Sequence, residues 1–338
     1  MYDLELEKIE KRVEEKNYQS ILIQMPEGML DKPLQNIIDH LSKFVKIFTS
    51  GDPSYGVCDL AIDLAISLEC DMLVHFGHSE FGFQNKVKNA RNSTIDVMLI
   101  PAYFIPDKAI SFSSIKHKLA ELGWKRVQLA ATIQHLKSLE KLKLFLEKNG
   151  FDSVIHNTGQ ILGCHVQNLR GKTDSIDDSI DGLISIHAGF FHTHGVLLNS
   201  DKPLLQFDPY SEGILVYDST DRKNLIQQRF TLLERAKKAD QWGVLSSSKI
   251  GQFKQRLISQ IENIMKNEGK APIVVIAENI NPQNMANFNW IDAWVVTACP
   301  RIALDDKIRY SKPVVTFREF LYLSKEITWE DLLEDGFF

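Results

Sequence analysis

The fold is decided by residues 6–28, which read LEKIEKRVEEKNYQSILIQMPEG. The first half of this stretch has apolar residues at helical spacing: Leu6, Ile9 and Val13. An apolar strand follows at residues 21–25, and a turn with proline and glycine ends it at residues 26–28. A helix with one apolar face that leads into a mostly apolar strand is typical of proteins with helices packed on a buried parallel sheet.

The same order of helix and strand recurs twice along the chain. The second and third helices carry apolar residues at the same spacing: Ile115, Leu119 and Leu122, then Ile226, Phe230 and Leu233. The strands after the three helices begin at Ile21, Val127 and Gly243, which lie 106 and 116 residues apart. A fixed period shared by helices and strands indicates an internal repeat.

A later strand in each segment keeps nearly the same period. Each of these strands is opened by an aspartate, and the three aspartates are spaced by 110 and 111 residues: Asp71, Asp181 and Asp292. Apolar, β-branched strands alternate with helices throughout, which favours parallel sheets built from βα units. We therefore predict an α/β fold of three similar parallel-sheet domains, an internal triplication around a central metal site. The predicted domains are residues 1–107 with Cys58, residues 108–219 with Cys164, and residues 220–338 with Cys299.

Composition limits the function classes. The 338 residues include 39 Lys and Arg against 44 Asp and Glu, so the formal net charge is −5. A basic face for nucleic acid or an anionic membrane is not expected from this balance, and no apolar run approaches the ~18 residues of a membrane span. We expect a cytoplasmic protein that binds neither nucleic acid nor membrane. Four cysteines are too few for a disulfide scaffold, so a cysteine with a function is a ligand or a nucleophile.

Three of the cysteines fall at comparable places in the repeats. Cys58 and Cys164 each end a loop bracketed by glycines just after a strand, and they lie 106 residues apart, like the first strands. The third segment has Cys299 directly after its Asp-led strand. Ligands in α/β sheets bind beyond the carboxyl ends of strands, so three units around one centre would aim these thiols at one point. Cys70 follows an apolar helical stretch and is predicted to be a core residue.

Two metals are consistent with this pattern. Three thiolates are one short of the four that usually hold an iron–sulfur cubane, which would leave one iron open for a ligand. Zinc bound by three cysteines and one histidine is the competing possibility, and three histidines are candidates for the fourth ligand: His75, His165 and His187.

The sequence resembles the radical subunit of diphthamide synthase, in its shorter archaeal type. Four motifs carry the resemblance: Gln24–Gly28, Asp52–Asp59, Gly159–Cys164 and Thr297–Arg301. The spacing of the three cysteines is the most specific element. Residues 247–252 match part of the family's glycine-containing loop that opens the third domain.

The resemblance implies an enzyme, a 2-(3-amino-3-carboxypropyl)histidine synthase, with two cofactors. Cys58, Cys164 and Cys299 would bind a 4Fe–4S cluster, and S-adenosylmethionine would bind the fourth iron. Cleavage at the methionine γ-carbon would give a 3-amino-3-carboxypropyl radical and methylthioadenosine. This radical would add to carbon 2 of one histidine of translation elongation factor 2, the first step of diphthamide biosynthesis. The resemblance also implies a homodimer and an electron donor that it does not identify.

Further residues are candidates by position. His75 and His187 stand at equivalent strand ends, where a histidine is either catalytic or a hydrogen-bonded structural residue. Four residues next to the motifs are candidates for binding the amino-acid part of S-adenosylmethionine: Glu27, Tyr55, Gln160 and Arg301.

Two other functions stay open at this point. A lyase similar to quinolinate synthase also has three α/β domains around a cluster with one cysteine from each, but it would not release methylthioadenosine. A non-catalytic α/β ligand-binding protein with incidental cysteines would contain no iron.

Overall fold

The computed structural model describes residues 1–52, 54–81, 95–169, 176–305 and 309–338, so Pro53 of the Asp52–Asp59 motif lies outside the described residues. The chain forms two compact units. Unit 1 consists of residues 1–111, 131–141 and 249–251, and unit 2 of residues 112–130, 142–248 and 252–338.

The secondary structure of the described residues alternates between strands and helices. The strands are β1 Tyr2–Asp3, β2 Ser20–Gln24, β3 Lys46–Thr49, β4 Met72–Phe76, β5 Asp96–Ile100, β6 Tyr103–Phe104, β7 Arg126–Ala131, β8 Asp152–Val154, β9 Gly182–Ile186, β10 Leu204–Asp208, β11 Gly213–Tyr217, β12 Trp242–Ser247, β13 Ile273–Ala277, β14 Ala293–Val296 and β15 Val314–Thr316. The helices are α1 Leu6–Lys16, α2 Lys32–Leu41, α3 Ile62–Ser67, α4 Ser113–Leu122, α5 Leu136–Lys148, α6 Phe190–Asn199, α7 Ser219–Ala236, α8 Gln255–Asn267, α9 Pro282–Met285, α10 Arg301–Leu304, α11 Phe317–Leu323 and α12 Trp329–Asp335.

Unit 1 is built on a four-stranded parallel sheet with the order β3-β2-β4-β5. Its central strands β2 and β4 are buried on both faces, which explains why their sequences are largely apolar. The apolar face of α1 packs on this sheet through Ile9 and Val13, as the helical spacing predicts. Cys70 is 3% exposed in the core on this sheet, so its predicted structural role is confirmed.

Unit 2 contains two sheets. One has the order β8-β7-β9-β10-β11, in which only the edge strand β11 is antiparallel. The other has the order β13-β12-β14-β15 and is parallel throughout. The prediction of a mixed α/β fold with several parallel sheets is therefore confirmed.

The three larger sheets share one strand order. In each, the first strand in sequence pairs with the second on one side and the third on the other, and the fourth pairs with the third. The predicted aspartates precede the third strand of each sheet and accept hydrogen bonds from two amides at or just before the first strand. Asp71 accepts from the amides of Gln19 and Ser20 at 2.7 and 3.0 Å, Asp181 from those of Lys125 and Arg126 at 2.6 and 2.9 Å, and Asp292 from those of Asp240 and Gln241 at 3.2 and 2.9 Å. The Asp-led period thus corresponds to one repeated local contact.

The helix α12 is capped at its start and buried on one face. Thr328 caps α12 with a reciprocal pair of hydrogen bonds to Asp331, and Leu332 of this helix is fully buried in the core of unit 2. Within the described ranges, no helix is both long enough and apolar enough to cross a lipid bilayer.

Candidate metal centre

The three predicted ligands follow strands of three different parallel sheets. Cys58 follows β3 and Cys164 follows β8, and both of these are the second strand of their sheet. Cys299 follows β14, the third strand of its sheet. The sheet order therefore places Cys58 and Cys164 at equivalent positions, in agreement with their sequence spacing, whereas Cys299 follows the strand on the other side of the first strand.

Cys58 lies in a single helical turn, Val57–Asp59, that is held by surrounding polar groups. The Nε2 amide of Gln24 donates to the carbonyl of Asp59 at 2.7 Å, and the Asp59 carboxylate forms an ion pair of 2.8 Å with Lys249. The amide of Gly251 donates to the carbonyl of Cys58 at 3.1 Å. The turn that carries the thiol is therefore held through the carbonyls of Cys58 and Asp59 and through the Asp59 carboxylate.

Cys164 lies in a tight turn closed by two hydrogen bonds of 2.9 Å between Leu162 and His165. This turn packs directly on α6. A Cβ atom at Gly163 would lie 2.6 Å from the Phe191 ring, and one at Gly195 would lie 2.2 Å from the carbonyl oxygen of Gly163. The close backbone approach that the glycine pattern suggests is thus present, and both glycines are needed for it.

Cys299 begins the turn that enters α10 and is half buried at the edge of a core cluster. The amide of Ile302 donates to its carbonyl at 3.2 Å. Oδ1 of Asp305, just after α10, lies 2.9 Å from Nδ1 of His194 in α6, within hydrogen-bond distance. Within unit 2, α6 therefore contacts both the Cys164 turn and the segment that follows Cys299.

The donor chemistry of these residues fits an iron–sulfur cluster. All three cysteines are half buried, whereas Cys70 is buried in the core. Thiolates at strand ends are the ligands such clusters take. Cys58 belongs to unit 1, and Cys164 and Cys299 belong to unit 2. Across the described residues, no group of three or more His, Cys, Asp or Glu side chains that could hold a metal ion is found. The shared centre therefore stays a prediction.

His75 is fully buried and has a hydrogen-bond partner at each ring nitrogen. Its Nδ1 lies 2.8 Å from Oε1 of Gln24, the next strand's residue in register, and its Nε2 lies 2.9 Å from Nδ1 of His78. Burial, and then the neighbouring His78, lower the pKa of His75, and burial lowers the pKa of His78 to about 4. Both rings are neutral at neutral pH, and His75 has no lone pair left for zinc in this arrangement.

His187 directly follows β9, whereas His75 lies inside β4. His187 is fully buried, its Nε2 lies 3.0 Å from the hydroxyl of Ser185, and burial lowers its pKa to about 4. Its Nδ1 is buried and has no hydrogen-bond partner among the described residues. A catalytic role stays a prediction for both histidines.

The four candidates for binding S-adenosylmethionine differ in exposure. Glu27 and Arg301 are exposed at the first positions of short helical turns, and Tyr55 is 57% exposed next to the Cys58 turn. Gln160 is buried, and its carbonyl accepts a hydrogen bond of 2.8 Å from Asn168. Three of the four side chains are thus accessible to a ligand.

Sequence reasoning missed three residues that hold the Cys58 turn: Gln24, Asp59 and Lys249. Gln24 and Asp59 stand inside the quoted motifs, and the register of β2 and β4 predicts the proximity of Gln24 to His75. Lys249 lies 190 residues from Asp59, and no local pattern in the sequence predicts this pair.

The fold and these positions define an α/β protein whose three larger sheets share one strand order and each have a half-buried cysteine beyond a strand. The chain belongs to the family described as putative diphthamide synthesis protein, whose model matches residues 25–333. The resemblance noted in the sequence is therefore confirmed.

Individual relatives agree along nearly the whole chain. A protein of Pyrococcus horikoshii named 2-(3-amino-3-carboxypropyl)histidine synthase is 28% identical over 98% of this chain and 94% of its own length. Subunit 1 of the synthase of the same name from Schizosaccharomyces pombe is 27% identical over 100% of this chain and 77% of its own length. A crystal structure described as Dph2 from Pyrococcus horikoshii with a 4Fe-4S cluster has a TM-score of 0.79 and 26% identity, covering 97% of this chain and 92% of that one.

Proposed function

We propose that this chain is a 2-(3-amino-3-carboxypropyl)histidine synthase that uses a 4Fe–4S cluster and S-adenosylmethionine to modify one histidine of translation elongation factor 2. The observation that carries the proposal is the set of three half-buried thiols at strand ends in three sheets of the same order, in a chain of this family. The Pyrococcus horikoshii structure with a cluster supports the choice of iron over zinc.

The three sheets are further proposed to be copies of one unit, with boundaries at residues 1–107, 108–219 and 220–338. The shared strand order and the shared hydrogen bonds at Asp71, Asp181 and Asp292 support this triplication. In a triplicated chain, Cys58, Cys164 and Cys299 would serve one central cluster.

When bound, the cluster would supply one electron to the sulfonium of S-adenosylmethionine and one iron without a protein ligand. The chain itself provides the three thiolates, and their turns are fixed by backbone hydrogen bonds. The guanidinium of Arg301 suits the carboxylate of the cosubstrate and the carboxylate of Glu27 suits its ammonium group. Fixing these two ends would decide which carbon–sulfur bond breaks, because the cofactor chemistry offers more than one.

The buried histidines have a separate part in this proposal. Neutral rings of His75 and His187, bonded to Gln24 and Ser185, would line the strand ends and exclude water without acting as charged acids. Exclusion of water protects a carbon radical from side reactions before it reaches the target imidazole.

Anaerobic incubation with S-adenosylmethionine, dithionite and elongation factor 2 tests the proposal. We expect methylthioadenosine and a histidine that carries one 3-amino-3-carboxypropyl group, both detected by mass spectrometry. Cys299→Ala should abolish both products, and Cys70→Ala is the matched control that keeps them. Main release of 5′-deoxyadenosine, or an iron-containing protein that forms no methylthioadenosine, would contradict the assignment, and a protein that binds no iron would favour a non-catalytic function.

A homodimer and a separate electron donor belong to the same proposal. Sedimentation at micromolar concentration should give a dimer, whose interface should bury at least about 1,000 Å². A monomer under these conditions would exclude the dimer and leave the chemistry untouched.

A further inference from the structure

Residues 249–251 form a short segment that belongs to unit 1, although residues 242–248 and 252–338 belong to unit 2. The segment contacts the Cys58 turn in two ways. The amide of Gly251 donates to the carbonyl of Cys58 at 3.1 Å, and Nζ of Lys249 lies 2.8 Å from Oδ2 of Asp59. We call Lys249–Gly251 the clamp segment.

The ion pair of the clamp segment is largely buried. The side chains of Lys249 and Asp59 are only 10% and 9% exposed. A buried pair of this kind is costly to break, because removal of one partner leaves the other charge without compensation. The ammonium group also lies 5.3 Å from the centre of the Tyr55 ring, within the range of a cation–π contact. The lysine is therefore held against the loop that ends at Cys58.

Gly251 packs on the cysteine's own backbone. A Cβ atom at position 251 would lie 2.2 Å from Cα of Cys58 and 2.5 Å from its carbonyl oxygen. Both atoms belong to the backbone, so neither is able to move aside as the end of a flexible side chain does. Any other residue at this position would push the clamp segment and the Cys58 turn apart.

We propose that Lys249 and Gly251 are positioning residues that fix Cys58 as a cluster ligand and place a positive charge beside it. This inference rests on the proposed function, in which Cys58 ligates the cluster. Partners that orient a ligand are worth about 10- to 100-fold in metal affinity or activity. The charge matters as well, because the net charge near a cluster contributes to its reduction potential. Removal of Lys249 leaves the Asp59 carboxylate next to the ligand and should make reduction harder.

Lys249→Met tests the lysine, with Lys249→Arg as the conservative variant and Lys254→Met as the control. Lys254 is exposed, and its side chain makes no cap hydrogen bond at the start of α8. After anaerobic reconstitution we expect Lys249→Met to retain iron about 10- to 100-fold less tightly against a chelator. Its remaining cluster should have a more negative midpoint potential. Lys249→Arg should restore most of the iron, and Lys249→Met combined with Asp59→Asn should move the potential back towards wild type.

Gly251→Ala tests the packing, with Gly51→Ala as its control. A Cβ at Gly51 would have no atom within 4 Å, and no positive φ strains that position. Gly251→Ala should lose iron and Gly51→Ala should keep it, with iron counted per folded protein at a temperature where both metal-free variants are folded. Equal iron retention and equal potentials for wild type and Lys249→Met would overturn the inference.

A measurement on metal-free protein separates this inference from the proposed function. The amide of Gly251, which donates to Cys58, should exchange its hydrogen faster in Lys249→Met than in wild type or Lys254→Met. Unchanged exchange would overturn the clamp even if the enzyme is active. A wild-type protein that binds no cluster would contradict the proposed function, and faster exchange in the variant would still establish the clamp on the Cys58 turn.

Discussion

Replacement of Arg229 by methionine should destabilise unit 2 strongly. The guanidinium of this α7 residue is fully buried and donates to Glu319 of α11 through two of its nitrogens, one of them at 2.7 Å. It also donates at 2.7 Å to the carbonyl of Ala303 in α10. Methionine fills similar space but leaves the Glu319 carboxylate buried and without compensation. Loss of one partner of such a pair costs about 3–5 kcal/mol.

Urea unfolding at neutral pH, followed by tryptophan fluorescence, measures the loss. The midpoint should fall at an unchanged slope, because the surface exposed on unfolding stays the same. The double variant Arg229→Met with Glu319→Gln should recover part of the loss, since it removes the buried charge. Lys143→Met is the control, because its pair with Glu147 is exposed and such pairs contribute about 0.2–1 kcal/mol.

A loss below ~1 kcal/mol for Arg229→Met would refute the reasoning that the pair is buried and coupled. So would a double variant that loses the sum of the two single losses. Arg229 also donates a hydrogen bond to Ala303, which lies in α10 just beyond Cys299. Iron retention should therefore fall in the Arg229 variant together with stability.

Three other results are expected. Cys299→Ala should lose most of the cluster absorbance while Cys70→Ala keeps it, and a full cluster in the Cys299 variant would exclude the three-sheet site. Gly163→Ala should cost about 1–3 kcal/mol through overpacking on α6 and should lower the iron content, measured by thermal unfolding and iron assay; an unchanged midpoint would contradict the close contact. Hydrogen bonds from backbone amides lower the pKa of Asp181 and of Asp292, so both stabilise the fold above their unfolded pKa of about 4, and that stability is lost as the pH falls through the folded values. Asn variants at these positions should show a flatter acid side in the stability profile, and an unchanged profile would contradict this role.

Much of the fold could be predicted from the sequence because its strands are buried on both faces. Strands such as β4 and β9 are largely apolar and buried at every position, and this pattern predicts a parallel sheet covered by helices. The Asp-led period was informative for a physical reason: each aspartate binds amides at or just before another strand of its own sheet, so its spacing follows the sheet order. Strand limits shifted by about one residue, as at β7, because strand ends depend on hydrogen bonding rather than on hydrophobicity.

The candidate site was predictable only where its residues are close in sequence to a strand end. Cys58, Cys164 and Cys299 each follow a strand, so their positions relative to the sheets are local properties of the chain. The partners of Cys58 are different in kind. Gln24 comes from a neighbouring strand and the clamp segment from 190 residues further along, and their contacts depend on how the chain returns to the Cys58 turn.

The turns that carry Cys58 and Cys164 are held by different contacts. Gly163 packs its backbone against α6 of the same unit, with Gly195 as the facing residue. The backbone of Cys58 packs on Gly251 instead, and the ion pair of Lys249 and Asp59 lies beside it. Each of these glycines lacks a Cβ, so two backbone segments can approach each other. Beside Cys58 the described contacts also include the largely buried Lys249. If Cys58 is a ligand of the cluster, Lys249 is a position at which the potential should change while all three cysteines are kept, which no cysteine variant allows.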